Sequence, residues 1–78
     1  MANIRHKRLE GFSERLKQAI YDSGMSCVEI SKHIERERKS VYGYMRGDVQ
    51  PDAYTMARLC MVLNVSADYL LFGKAYDT

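Results

Sequence analysis

Between His33 and Gly47 the chain reads HIERERKSVYGYMRG. Arg36, Arg38, Lys39 and Arg46 bring cations into this short stretch, Tyr42 a phenolic hydroxyl, and Gly43 no side chain at all. Guanidinium and ammonium groups bond phosphate oxygens, and a guanidinium also fits O6 and N7 of guanine together. A tyrosine hydroxyl can bond a phosphate, and its ring can pack on a thymine methyl. The competing interpretation is a solvated surface in which Glu35 and Glu37 hold Arg36 and Arg38 through weak local ion pairs. For Glu37 a bond from cytosine N4 is the alternative.

Other chemistries find less support. His33 lies four residues from both Glu29 and Glu37, but the only other histidine is His6 and no ligand quartet has metal spacing. No metal or cofactor is expected. Ser, Cys and His occur without a context for nucleophilic catalysis, and a domain of 78 residues has little room to enclose an active site. An enzyme is not expected.

The reactive types must be carried by helices, because the apolar pattern steps by three and four throughout. Leu9, Phe12, Leu16, Ala19 and Ile20 mark a first helix that Ser23-Gly24 ends, and Met25 is a buried link. Ser26-Cys27-Val28-Glu29 has the form of a capping box and starts a short second helix with Cys27, Ile30 and Ile34 inward. Val41, Tyr44 and Met45 define the inner face of a third helix. They leave Lys39, Tyr42, Gly43 and Arg46 outward, with Gly47 as its end. A loop from Asp48 to Asp52 leads to a fourth helix capped by Asp52, with Met56, Leu59, Cys60 and Leu63 inward and Asn64 after it. Ser66 caps a short fifth helix that Gly73 stops. Residues 1–8 read as a basic arm, 9–73 as one domain and 74–78 as a tail.

Charge is distributed unevenly along the chain. The net charge is +2, with apolar residues at 46% and charged ones at 28%, as in ordinary globular proteins. Ten of the twelve Lys and Arg lie at or before Gly47, where there are six acids. A polyanionic partner suits that asymmetry. Cys27 and Cys60 have no disulfide-framework spacing and read as reduced small hydrophobes, which points to a cytoplasmic compartment. No apolar run is long enough to span a membrane, so no membrane association is expected.

Two short helices joined by a tight turn, the second basic on its outer face, meet the requirement of a helix-turn-helix. The segment CVEISKHIERERKSVYGYMRG resembles that motif in the phage-repressor and Cro-like family, also called XRE. Ile30, Ile34, Val41 and Tyr44 fall at its apolar positions and Ser31 at its small position. The stretch Arg46 to Pro51 is similar to its Gly-x-x-x-Pro loop, and Leu63 to Gly73 to its final segment, so the likeness runs from about Phe12 to Gly73. Three positions depart from it: Glu35 stands where glycine is usual, Arg36 where an apolar residue is usual, and Cys27 where a phosphate-gripping glutamine is frequent.

The resemblance implies an all-α, compact five-helix bundle of the lambda-repressor-like type. It also implies a transcriptional regulator, a repressor that occludes an operator with the third helix in the major groove. The DNA-contacting set is then Arg38, Lys39, Tyr42, Gly43 and Arg46 on that helix, Cys27 and Arg36 before it, and Arg5, Lys7 and Arg8 in the arm. Of these Arg38 is the base reader. Gly43 is expected to let the helix backbone approach the groove. The partner is double-stranded DNA bearing a near-palindrome with half-sites about 34 Å apart. A weak homodimer is expected through Tyr69, Leu71 and Phe72, since Leu70 and Leu71 cannot both enter one core. The alternative is a protein-interaction module that keeps the scaffold without binding DNA.

Overall fold

The computed structural model describes residues 11–73, which form α1 (Phe12–Ser23), α2 (Cys27–Ile34), α3 (Arg38–Arg46), α4 (Ala53–Leu63) and α5 (Ala67–Phe72). Leu9, the basic arm and the tail lie outside the described residues. Each boundary has a local cause. The Ser26 hydroxyl accepts the Glu29 N–H at 3.1 Å while the Glu29 carboxylate accepts the Ser26 N–H at 2.9 Å, closing the expected capping box of α2. Asp52 and Ser66 cap α4 and α5 by accepting from Thr55 N and Tyr69 N, at 2.8 and 3.0 Å. Gly24, Gly47, Asn64 and Gly73 take the left-handed conformation at helix ends.

The core gathers where the inward stripes converge. Leu16, Ile30, Ile34, Val41, Leu59 and Leu70 are fully buried, and Phe12, Ala19, Ile20, Tyr44 and Leu63 nearly so. Burying one such large aliphatic side chain contributes about 1.5–3 kcal/mol, so this cluster carries most of the fold. Tyr44 belongs to it, as its place beside Val41 requires. Ser31 is buried at the contact of α2 with its neighbours, where a larger residue would separate them, and its hydroxyl donates to Val28 O at 2.7 Å. Helix α2 packs on both α3 and α4, and α1 backs α3 and α5.

Between α2 and α3 the chain reverses through Glu35, whose φ of 61° and ψ of 40° are left-handed. The Glu35 N–H donates to Lys32 O at 3.3 Å and the Arg36 N–H to Ser31 O at 3.0 Å. That pair of bonds is a Schellman closure, which requires the left-handed residue that glycine supplies most cheaply. Glutamate holds this conformation at a cost of about 1–2 kcal/mol for its Cβ. Glycine would remove that cost but lose more chain entropy on folding, up to about 1 kcal/mol. Glu35→Gly should therefore stabilise the domain by about 0.5–1 kcal/mol and raise the midpoint of thermal unfolding by a few degrees, read by circular dichroism. An unchanged or lowered midpoint would show that the Glu35 side chain contributes more than its backbone costs.

Candidate nucleic-acid interface

Helix α3 presents its outer face to solvent over its whole length. Arg38 and Lys39 occupy its first turn, Tyr42 follows one turn later and Arg46 one turn after that; all four are exposed. From Arg38 to Arg46 the face runs about 12 Å, by the helical rise. The N-cap is Glu37, whose side chain makes no capping bond, and no acid occupies the first turn. The helix therefore offers uncapped N–H groups and two cations at its positive end, an arrangement that favours an anion ahead of it.

The partners of these cations differ. The Arg38 side chain makes no hydrogen bond or ion pair with any described residue. Lys39 Nζ lies 3.5 Å from Glu37 Oε1, with both side chains largely exposed, so Glu37 neutralises Lys39 and not Arg36 or Arg38. Arg46 Nε donates to Asp48 Oδ2 at 2.8 Å, again at the surface. Exposed pairs of this kind are worth about 0–1 kcal/mol, little enough for a phosphate to displace the acid.

One sequence expectation, the outward placement of Gly43, is corrected by the geometry. Gly43 is buried and does not lie on the exposed face of α3. The N–H groups of Gly47 and Asp48 donate to Tyr44 O and Gly43 O at 3.2 and 3.0 Å, and this closure folds the loop back over α3. A Cβ at position 43 would lie 3.1 Å from Val49 Cγ2, so the glycine makes room for the protein's own loop.

Arg36 turns back onto α4. Its Nε donates to Thr55 Oγ1 at 3.1 Å and its terminal nitrogen to Asp52 Oδ2 at 2.9 Å, so the guanidinium is spent on α4. Thr55 is fully buried, and Arg36 supplies its hydroxyl with a donor that an apolar residue could not. Cys27 is half-buried at the first position of α2, with Sγ 3.7 Å from Met45 Sδ, and so packs against α3 and does not reach outward as a glutamine would.

At the far end of the molecule Tyr69 and Leu71 are half-buried, whereas Phe72 is 61% exposed. Leu70 takes the core and Leu71 does not. Two arginines not expected from the pattern complete the frame. Arg15 donates to Leu70 O and Leu71 O, both at 3.0 Å, and so satisfies carbonyls at the end of α5. Arg58 donates to His33 O through two nitrogens at 2.9 and 2.7 Å and lies over the Tyr54 ring, its guanidinium carbon 5.6 Å from the ring centre. The spacing of Tyr54 and Arg58 by one helical turn was the visible clue. Among the described residues no group of three His, Cys, Asp or Glu is placed to hold a metal, and no helix is long and apolar enough to cross a membrane.

No family model matches the chain. The SPbeta prophage-derived uncharacterized HTH-type transcriptional regulator YonR of Bacillus subtilis (strain 168) is 34% identical over 62 residues, which cover 80% of this chain and 57% of that protein. The chain thus spans little more than half the length of that curated relative. Among solved structures, the P22 c2 repressor in complex with synthetic operator 9T superposes with a TM-score of 0.77 at 21% identity, covering 81% of this chain and 96% of that one. That likeness is one of fold. A transcriptional regulator from Listeria innocua gives a TM-score of 0.72 at 25% identity, over 86% of this chain and 62% of that one. The chain thus has the all-helical fold of the phage-repressor-like helix-turn-helix domains.

The Asp52 carboxyl is held below the usual carboxylate range, first by the Thr55 N–H and hydroxyl and then by Arg36. A lowered carboxyl stabilises the fold above its unfolded value near 3.8, and that contribution is lost as pH falls through the lower folded value. Asp52→Asn, which keeps a capping oxygen, should therefore flatten the loss of stability on acidification below about pH 4, as followed by denaturant unfolding at several pH values. An unaltered pH profile would show that Asp52 is not held as described.

Proposed function

We propose that the chain is a sequence-specific DNA-binding transcriptional regulator, a repressor that occludes its operator with α3 in the major groove. The observation that carries this reading is the exposed row of Arg38, Lys39, Tyr42 and Arg46 on a helix whose positive end is uncapped. The groove is about 12 Å wide and admits a helix of this size. Arg38, with no partner among the described residues, is assigned to base reading. Lys39, Tyr42 and Arg46 are assigned to phosphates and neighbouring bases, and the arm residues Arg5, Lys7 and Arg8 to phosphate or minor-groove contacts. Gly43, Cys27 and Arg36 act from within the domain. Both YonR and the Listeria protein are described as transcriptional regulators, and P22 c2 was crystallised with an operator. The free cysteines and a DNA target suit a cytoplasmic location.

The partner is double-stranded DNA carrying a near-palindrome, bound by a weak homodimer. One module of this size rarely supplies specific affinity at physiological salt. The exposure of Phe72 beside half-buried Tyr69 and Leu71 supports the end of α5 as the place where subunits meet.

Sequences enriched from a random duplex pool supply the test site. Arg38→Ala should lose about 1–3 kcal/mol on that site and much less on random duplex, measured by fluorescence anisotropy. Equal losses on both would make Arg38 a phosphate ligand, and failure of the wild type to bind duplex at low salt would favour the protein-interaction reading. Phe72→Asp should abolish cooperative binding to the full site while leaving half-site affinity nearly unchanged. Retained cooperativity would place the subunit contact elsewhere.

A further inference from the structure

Beyond its own Schellman closure, the turn that delivers α3 is held by one edge of α4. The His33 carbonyl accepts Arg58, the Glu35 carboxylate accepts the Tyr54 hydroxyl at 3.4 Å, and Arg36 donates to both Thr55 and Asp52. Asp52 is used twice. Its Oδ1 accepts the Thr55 N–H and caps α4, while its Oδ2 holds Arg36, so the start of α4 and the turn share one carboxylate. Arg36 lies two residues ahead of Arg38, and any movement of its backbone carries the first turn of α3 with it.

We propose that Arg36, gripped by Asp52 and Thr55, is a positioning residue for sequence reading. It sets the height and tilt of α3 without touching DNA. This rests on the DNA-binding reading above and names the device that makes it specific. Base readout needs donor-to-acceptor distances within about 2.7–3.2 Å, so a displacement of about an ångström at Arg38 removes a bidentate contact. A phosphate contact made by a long, mobile cation tolerates the same displacement. Loss of the grip should therefore fall on discrimination between sequences and spare general affinity for DNA.

Charge makes the test sharp. Asp52→Asn removes a negative charge, which by electrostatics alone tightens binding to any DNA. The positioning role predicts the opposite on the preferred site: a fall of about tenfold in the ratio of specific to random affinity, the equivalent of one base contact. Arg36→Met keeps the apolar stem and removes both donors; it should lower the ratio by a similar factor, with no further loss in the double variant. The salt slope should be unchanged by either, because no phosphate contact is lost. Ala19→Gly, a destabilising change in α1 away from the interface, should leave the ratio intact.

The proposal is overturned if Arg36→Met weakens both DNAs equally and reduces the salt slope by about 0.9, which would make Arg36 a phosphate ligand. It is also overturned if Asp52→Asn tightens both. Should the wild type prefer no sequence, the DNA-binding reading fails and amide hydrogen exchange judges the grip alone. Faster exchange at the Arg36 and Ser40 N–H groups in Asp52→Asn supports it, and unchanged exchange removes it.

Discussion

A left-handed backbone at Glu35 is the constraint on which the rest of the domain depends. Helix α2 must stop, turn and hand over to α3 within the span from Glu35 to Glu37, and only a residue with positive φ closes α2 tightly enough to allow it. Once the turn is closed, Ile30 and Ile34 on one helix and Val41 and Tyr44 on the next face a common core, and the opposite side of α3 is left to solvent. The outward row of Arg38, Lys39, Tyr42 and Arg46 is thus a consequence of a closure made one turn earlier. Glycine is the cheap way to achieve that closure. This chain instead uses glutamate and surrounds it with hydrogen bonds from α4.

The same device recurs across the fold. Helices of six, eight and nine residues have a large share of their carbonyls at unpaired ends, and each such carbonyl needs a donor. Arg58 serves the end of α2 and Arg15 the end of α5, each reaching from a neighbouring helix. Arginine suits this work because its planar fork presents several donors in fixed geometry along with an apolar stem. Part of the positive charge in the chain therefore holds helices to one another, and its total is a poor guide to how many cations await a polyanion.

That division explains which parts of the architecture were legible in the sequence. The caps at Ser26, Asp52 and Ser66, the stops at Gly24, Gly47, Asn64 and Gly73, and the inward stripes all follow from neighbours close in sequence, and each appears where the pattern placed it. Tyr42 outside and Tyr44 inside follow from helical period alone. The partners of Arg36 and Gly43 are Asp52 with Thr55, and Val49, which no local period brings to view. For Gly43 the local cost of a helical glycine was read correctly, but what balances it is the approach of the loop after Gly47. The carbonyls that Arg15 and Arg58 serve were not legible, since a charge on a helix surface does not reveal which helix end lies across from it.

The most direct measurement is a map of backbone amide chemical-shift changes as the isotopically labelled protein is titrated with a duplex enriched from a random pool. The account predicts the largest changes at Arg38, Lys39, Tyr42 and Arg46, with the arm responding and the Thr55 amide, held by Asp52, nearly still. Changes centred on the outer edge of α4, with the first turn of α3 unmoved, would contradict it.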